Sequence, residues 1–260
     1  MLHATLTEAC ALSQLKPYVN TASSPTRNLN FASDSLSMLH LKLVCMLKAC
    51  VNVAGTAGGA GPGSAAGTDG ATVAEMYDST KPIGQRWSTV ADSMIWRLYH
   101  SEAFLTSNAE VFVSGSDTTS EHRVQIYTPD YLHTSKPRPV ITAVNSSSQT
   151  TSLFDVDAEI GYSSNFTIGF SNVTSLDRIV LNRLVGSTHG VHSDQRQIVL
   201  ECTVGATSAN CAAPPNNYIA PPGVYMVFVL YEGIPSMAKY VSLQLSDGTM
   251  TMEPSVATAG

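Results

Sequence analysis

Charge is scarce in this 260-residue chain: Asp, Glu, Lys and Arg make up only 13% of it, and 14 basic side chains face 20 acidic ones, for a net charge of −6. A protein that neutralises phosphates needs a basic footprint, so a nucleic-acid partner is not expected. Long apolar runs are also missing. The best candidate, residues 38–50, carries Lys42 and Lys48 and falls short of the roughly 20 residues a spanning helix requires, so no membrane segment is expected. The opening Met1-Leu2-His3-Ala4-Thr5 lacks a basic start, and Glu8 interrupts the weak apolar stretch behind it, so no secretory signal is read there. None of the cysteines, Cys10, Cys45, Cys50, Cys202 and Cys211, has the C-x-x-C spacing of a zinc site.

What the chain does have is Gly, Pro, Ser and Thr in quantity, a composition that favours short strands and turns over helices. An all-β fold is expected. Residues 35–49, with Leu36, Leu39, Leu43 and Met46 at helical spacing, are the exception, and predict one short amphipathic helix. From Ala54 to Gly70 glycine and alanine dominate, with too little side chain to offset the entropy of ordering, and a flexible connection is expected. Further on, Thr72 to Tyr77 reads as a strand, Glu102 to Ser114 as a hairpin turning at Ser107-Asn108, and Arg123 to Tyr127 as another strand. Beyond Lys136-Pro137-Arg138-Pro139 come short apolar runs at 140–144, 166–170, 179–184, 198–202, 224–231 and 240–245, separated by Ser, Asn, Gly and Pro clusters. That spacing predicts an immunoglobulin-like sandwich able to fold by itself. Cys202 and Cys211 flank a polar loop, and two readings stand: a hairpin disulfide if the chain is secreted, or two buried thiols. Sequons at Asn145, Asn165 and Asn172 are compatible with secretion.

The stretch that carries chemistry is Arg97-Leu98-Tyr99-His100-Ser101. On a regular strand Tyr99 and His100 point to opposite faces, so both reach one metal only where the strand ends or bends. Imidazole suits Cu(II), and a metal-bound phenol loses its proton more readily than the free one, whose pKa is about 10. Gly84-Gln85-Arg86-Trp87, Arg97-Leu98-Tyr99-His100-Ser101, Thr188-His189 followed by Asp194-Gln195-Arg196, and Ala220-Pro221-Pro222-Gly223-Val224-Tyr225 occur in that order. Over residues 75–245 the chain resembles the C-terminal portion of the copper radical oxidases, the galactose oxidase and glyoxal oxidase family.

The resemblance implies a domain plan. Residues 1–54 are unassigned, 55–135 are the remnant of the last blade or blades of a kelch-type propeller carrying the Tyr-His motif, 136–247 are an immunoglobulin-like early-set sandwich, and 248–260 are a tail. It also implies copper, with His100 and His189 as equatorial ligands and Tyr99 as the axial phenolate and catalytic base. Arg97 and Gln195 are expected to support the ligands, and His192 to face solvent. The family converts an aldehyde or primary alcohol and O₂ into the oxidised product and H₂O₂, outside the cell, using a tyrosyl radical cross-linked to cysteine. No stretch of residues 1–70 resembles the motifs that carry that pair, and Tyr18, in Lys16-Pro17-Tyr18-Val19, is in the wrong company. The expectation is therefore part of an oxidase, inactive alone. The alternative is a non-catalytic β module whose histidines are remnants.

Overall fold

The computed structural model describes residues 71–77, 81–97, 101–116, 121–146, 155–184, 186–188, 191–193 and 196–244. The segments expected to be a helix (35–49) and a flexible connection (54–70) lie outside them. Among the described residues the regular structure is strand, apart from one 3₁₀ turn at Asp130–Leu132. The all-β expectation holds.

Two antiparallel strands come first, β1 (Ala71–Tyr77) and β2 (Trp87–Arg97). Their register runs from Tyr77 opposite Trp87 to Val73 opposite Asp92, and then to Ala71 opposite Arg97. Two steps along β1 thus match five along β2, so β2 carries three extra residues and bulges. Met94, with φ 54°, sits in that bulge, where its N–H donates to Asp92 Oδ1 at 2.9 Å. The strand is bent just before it reaches the Tyr-His motif. A second sheet follows: β3 (Glu102–Leu105), β4 (Val111–Ser114) and β5 (Gln125–Tyr127), in that order. The hairpin between β3 and β4 turns where the sequence places it, with the Thr106 N–H donating to Glu110 O at 2.8 Å and Ala109 at φ 62°. One face buries Ala103, Val111 and Val113 with Ala74 of β1. The other presents Phe104 stacked on Phe112, ring centroids 4.6 Å apart, with Ile126 beside them on β5. Ile126 is half exposed.

The remaining strands are β6 (Val140–Ser146), β7 (Ala158–Gly161), β8 (Asn165–Ser171), β9 (Arg178–Arg183), β10 (Gly186–Thr188), β11 (Val191–Ser193), β12 (Gln197–Val199), β13 (Cys202–Val204), β14 (Ser208–Ala212), β15 (Gly223–Tyr231), β16 (Ile234–Pro235) and β17 (Lys239–Gln244). Ten of them make a sandwich. One sheet runs β12-β9-β15-β17-β7 with β16 on β15, the other β13-β14-β8-β6, and β10 and β11 form a separate hairpin. Inward side chains of both sheets, among them Phe166, Ile168, Phe170, Ile179, Leu181, Tyr225, Val227 and Leu243, fill one core. Each large apolar group buried there contributes roughly 1.5–3 kcal/mol.

Two expectations are refined. The run 198–202 is not one strand: β12 pairs with β9 and β13 pairs with β14, so the chain changes sheets at Leu200-Glu201. The stretch read as a polar loop is a hairpin whose second arm, β14, alternates between exposed Ser208, Asn210 and Ala212 and buried Ala209 and Cys211. Cys202 and Cys211 are partners across it and form a disulfide, Cα to Cα 4.1 Å, which resolves the open choice in favour of the bridge.

The sandwich is not covered on its inner side alone. Val180, Met226, Phe228 and Leu230 point to the opposite face of the β9-β15 pair and are buried against Ala109, Leu105 and Tyr131. Polar clasps surround this second core. Arg138 Nη2 donates to Asn108 O at 2.7 Å, Tyr131 Oη donates to Ala109 O at 2.7 Å, and the Ala238 N–H donates to Ser107 O at 2.8 Å. The tip of the β3-β4 hairpin is thereby seated on the sandwich.

Candidate metal centre

Tyr99, His100, His189 and Gln195 lie outside the described residues, and of Arg97 and His192 only the strand positions are described. What the structure establishes is how the chain around these residues is held. Upstream, β2 ends at Arg97, and four residues later Ser101 is buried at the entrance to β3. Downstream, β10 and β11 pair antiparallel with Thr188 opposite Val191 and Ser187 opposite His192. The two motifs are 189 − 100 = 89 residues apart in sequence. In space β10 comes within 8 Å of β3, Cα to Cα, although the two belong to different sheets. The strand that leaves Tyr99-His100 and the strand that enters His189 are neighbours.

The β10-β11 hairpin stands on two arginines that local pattern reading does not pick out as a pair. Arg183, the last residue of β9, donates from Nη1 to Pro221 O at 2.7 Å, to Pro222 O at 3.0 Å and to the Tyr225 hydroxyl at 3.1 Å. Its guanidinium also lies 5.4 Å from the centre of the Tyr225 ring, a cation–π distance. Arg196, just before β12, donates from Nη1 to Ile219 O at 2.7 Å and Tyr218 O at 3.2 Å. The Arg183 N–H donates to Arg196 O at 3.0 Å and ties the two feet together. This accounts physically for the Ala220-Pro221-Pro222-Gly223-Val224-Tyr225 motif. The prolines leave their carbonyls aimed at Arg183, Gly223 adopts φ +143° with Arg183 Nη1 3.2 Å from where a Cβ would sit, and Tyr225 Oη closes the turn on Pro221 O at 2.8 Å. A guanidinium's planar fork of donors suits such a carbonyl cluster.

Two of the described phenols, Tyr162 and Tyr131, are structural. Burial pushes the Tyr162 and Tyr131 hydroxyls far above their ordinary value, and each donates to a carbonyl, Tyr162 to Ala220 O at 2.6 Å and Tyr131 to Ala109 O at 2.7 Å. Tyr127 is likewise raised by burial. A phenol that ligates a metal must shed its proton, and these are pushed the other way. Among the described residues no three His, Cys, Asp or Glu side chains converge to hold a metal ion. The asparagines of all three sequons are exposed.

Residues 138–243 match the family model described as "Galactose oxidase-like, Early set domain". The chain is 34% identical over 194 residues to a "WSC domain-containing protein" of Arthroderma benhamiae, an alignment covering 72% of this chain and 19% of the relative. It is 30% identical to "Aldehyde oxidase GLOX1" of Arabidopsis thaliana, over 65% of this chain and 29% of that protein. It is 32% identical to a "Galactose oxidase" of Gibberella zeae, over 56% of this chain and 21% of that protein. This chain thus spans about a fifth to a third of the length of these relatives. In fold it is similar to a fungal alcohol oxidase solved in complex with copper, with a TM-score of 0.56 and 23% identity over 67% of this chain and 36% of that one. The early-set match over the sandwich and the oxidases among its relatives support a place for this chain among the copper radical oxidases.

Proposed function

We propose that this chain is the C-terminal part of a copper radical oxidase resembling glyoxal oxidase. The complete enzyme couples an aldehyde or primary alcohol and O₂ to the oxidised product and H₂O₂, and this part alone binds copper without turning over. The observation that carries the reading is the approach of β10, the strand before His189, to β3, the strand after Tyr99-His100. Two imidazoles and a phenol form a donor set that fits Cu(II), and histidine donors favour copper among the common divalent ions.

In this reading His100, His189 and Tyr99 would hold the metal. Bound copper supplies a one-electron acceptor and lowers the pKa of a ligating hydroxyl. Tyr99 then receives the proton of the substrate hydroxyl, its phenolate oxygen becoming a phenol. Arg183 and Arg196 hold the chain on either side of the β10-β11 pair, which supports a site that includes His189. Substrate oxidation removes two electrons, and O₂ takes up two electrons and two protons to become H₂O₂. The second one-electron centre is not found in this sequence, which is why no turnover is expected.

Residues 55–135 are read as the last part of a propeller. The partly exposed row Phe104, Phe112 and Ile126 supports this, because an apolar sheet face of that kind packs under a further sheet. The Cys202–Cys211 disulfide and the exposed sequons support an extracellular location.

A Cu(II) titration of the purified chain, with a peroxide assay on methylglyoxal and galactose, tests the reading. Stoichiometric binding that His100→Ala or His189→Ala weakens at least tenfold, with His192→Ala unaffected and no peroxide released, is the expected result. Binding indifferent to both His100 and His189 removes the site. Absent copper binding favours the non-catalytic module, and peroxide release overturns the incompleteness.

A further inference from the structure

We propose that Arg138 is a positioning residue for this copper site: by clamping the tip of the β3-β4 hairpin to the sandwich, it sets the spacing between the strand ends that carry Tyr99-His100 and His189. The inference rests on the proposed function above and adds to it a residue that no ligand motif contains.

The clamp is built from one guanidinium. Arg138 Nε donates to Pro235 O at 2.8 Å, Nη1 to Asn108 Oδ1 at 3.0 Å, and Nη2 to Asn108 O at 2.7 Å and to Ser236 O at 3.1 Å. Asn108 belongs to the hairpin tip, whereas Pro235 and Ser236 belong to the sandwich, so a single planar group spans the joint. Asn108 is held in turn, since its Nδ2 donates to Glu110 Oε2 at 2.7 Å, and Thr128 Oγ1 donates to Glu110 Oε1 at 2.9 Å. Beneath lies the apolar seat of Ala109 on Val180, Met226, Phe228 and Leu230.

The hairpin acts as a short stiff arm. Its four-residue strand β3 spans about 13 Å at roughly 3.3 Å per residue, with the clamp at one end and the exit from Tyr99-His100 at the other. β10 approaches this arm but lies in a separate two-stranded sheet, so no ladder shared with β3 fixes their separation. The seat of the tip therefore fixes where β3 lies relative to β10. An apolar contact alone permits sliding; the directional fork, with acceptors on both bodies, selects one placement. A lysine carries the charge but not the fork.

Copper titrations of the full chain as wild type, Arg138→Met, Arg138→Lys and Val241→Ala test the assignment, together with amide hydrogen exchange without metal. Val241 is fully buried in the inner core, away from the clamp, so its truncation provides a stability loss that leaves the joint in place. The expected result is a copper affinity at least tenfold lower in both Arg138 variants, only partly restored in Arg138→Lys, and unchanged in Val241→Ala. Exchange should quicken in Glu102–Leu105 and Gly186–Thr188 of the Arg138 variants, and stay slow in Asn165–Ser171. Wild-type affinity in Arg138→Met, or an equal loss in Val241→Ala, overturns the positioning role while leaving the copper reading intact. A wild-type chain that binds no copper through His100 and His189 overturns both.

Discussion

At the scale of single residues, the clearest constraints are backbone and charge. Gly223 holds φ +143° with Arg183 Nη1 3.2 Å from the position of an added Cβ, so Gly223→Ala combines a disfavoured conformation with displacement of the guanidinium that braces the hairpin. We expect a loss of about 1–3 kcal/mol, read by chemical denaturation, and a weaker copper site as the hairpin foot loosens. Glu110 gives a pH signature. Hydrogen bonds from Asn108 and Thr128, and then the charge of Arg138, hold its carboxylate below the ordinary value of 4.5, against an opposing push from burial. A folded-state pKa below the unfolded one means stability that is present above the unfolded value and lost as pH falls through the folded one. The melting temperature of the wild type should therefore exceed that of Glu110→Gln at pH 6, with the gap closing between about pH 5 and 3. A gap that widens on acidification contradicts the assignment. Breaking Cys202–Cys211 by Cys202→Ala should cost about 2–3 kcal/mol for so short a loop, with peptide mapping of unreduced wild-type protein finding the two residues linked.

At the scale of elements, β15 shows what was legible and what was overlooked. Val224 to Tyr231 was readable as a strand because it is rich in β-branched and aromatic residues. Its lack of alternation, however, carries a second message: Tyr225, Val227 and Val229 enter the sandwich core, and Met226, Phe228 and Leu230 enter the joint with the β3-β4 hairpin. A run apolar on both faces marks a strand with layers on both sides. The expectation that residues 136–247 fold alone changes accordingly. Such a fragment should bind a hydrophobic dye and self-associate through this bared face, and a fragment beginning at Ser101 should do so far less. Equal dye binding by the two would show that the face is covered some other way. Elements built from small residues were not legible. β14 buries only Ala209 and Cys211, and β10 and β11 are three residues each, too short to show a period. The change of sheet at Leu200-Glu201 was hidden because both halves of that run are strand-like; only their partners differ.

At the scale of the whole molecule, the candidate site is a matter of topology. No local pattern states that residues 99–100 and 189 meet; the ordered motifs point there only through resemblance, and the structure adds that β3 and β10 are adjacent. The early-set sandwich, the seated hairpin and the braced β10 and β11 strands are the framework on which the proposed site would rest. Loading should follow protonation: a charged imidazole cannot ligate, so copper affinity should rise with pH through the histidine range near 6.5 and level off above it. The most direct test counts nitrogens. Pulsed electron paramagnetic resonance of the Cu(II)-loaded chain, with histidine labelled with ¹⁵N, should detect two coordinated imidazoles in the wild type, one in His100→Ala, one in His189→Ala and none in the double variant. Two imidazoles persisting in either single variant, or none in the wild type, would contradict the convergence of these strand ends on copper.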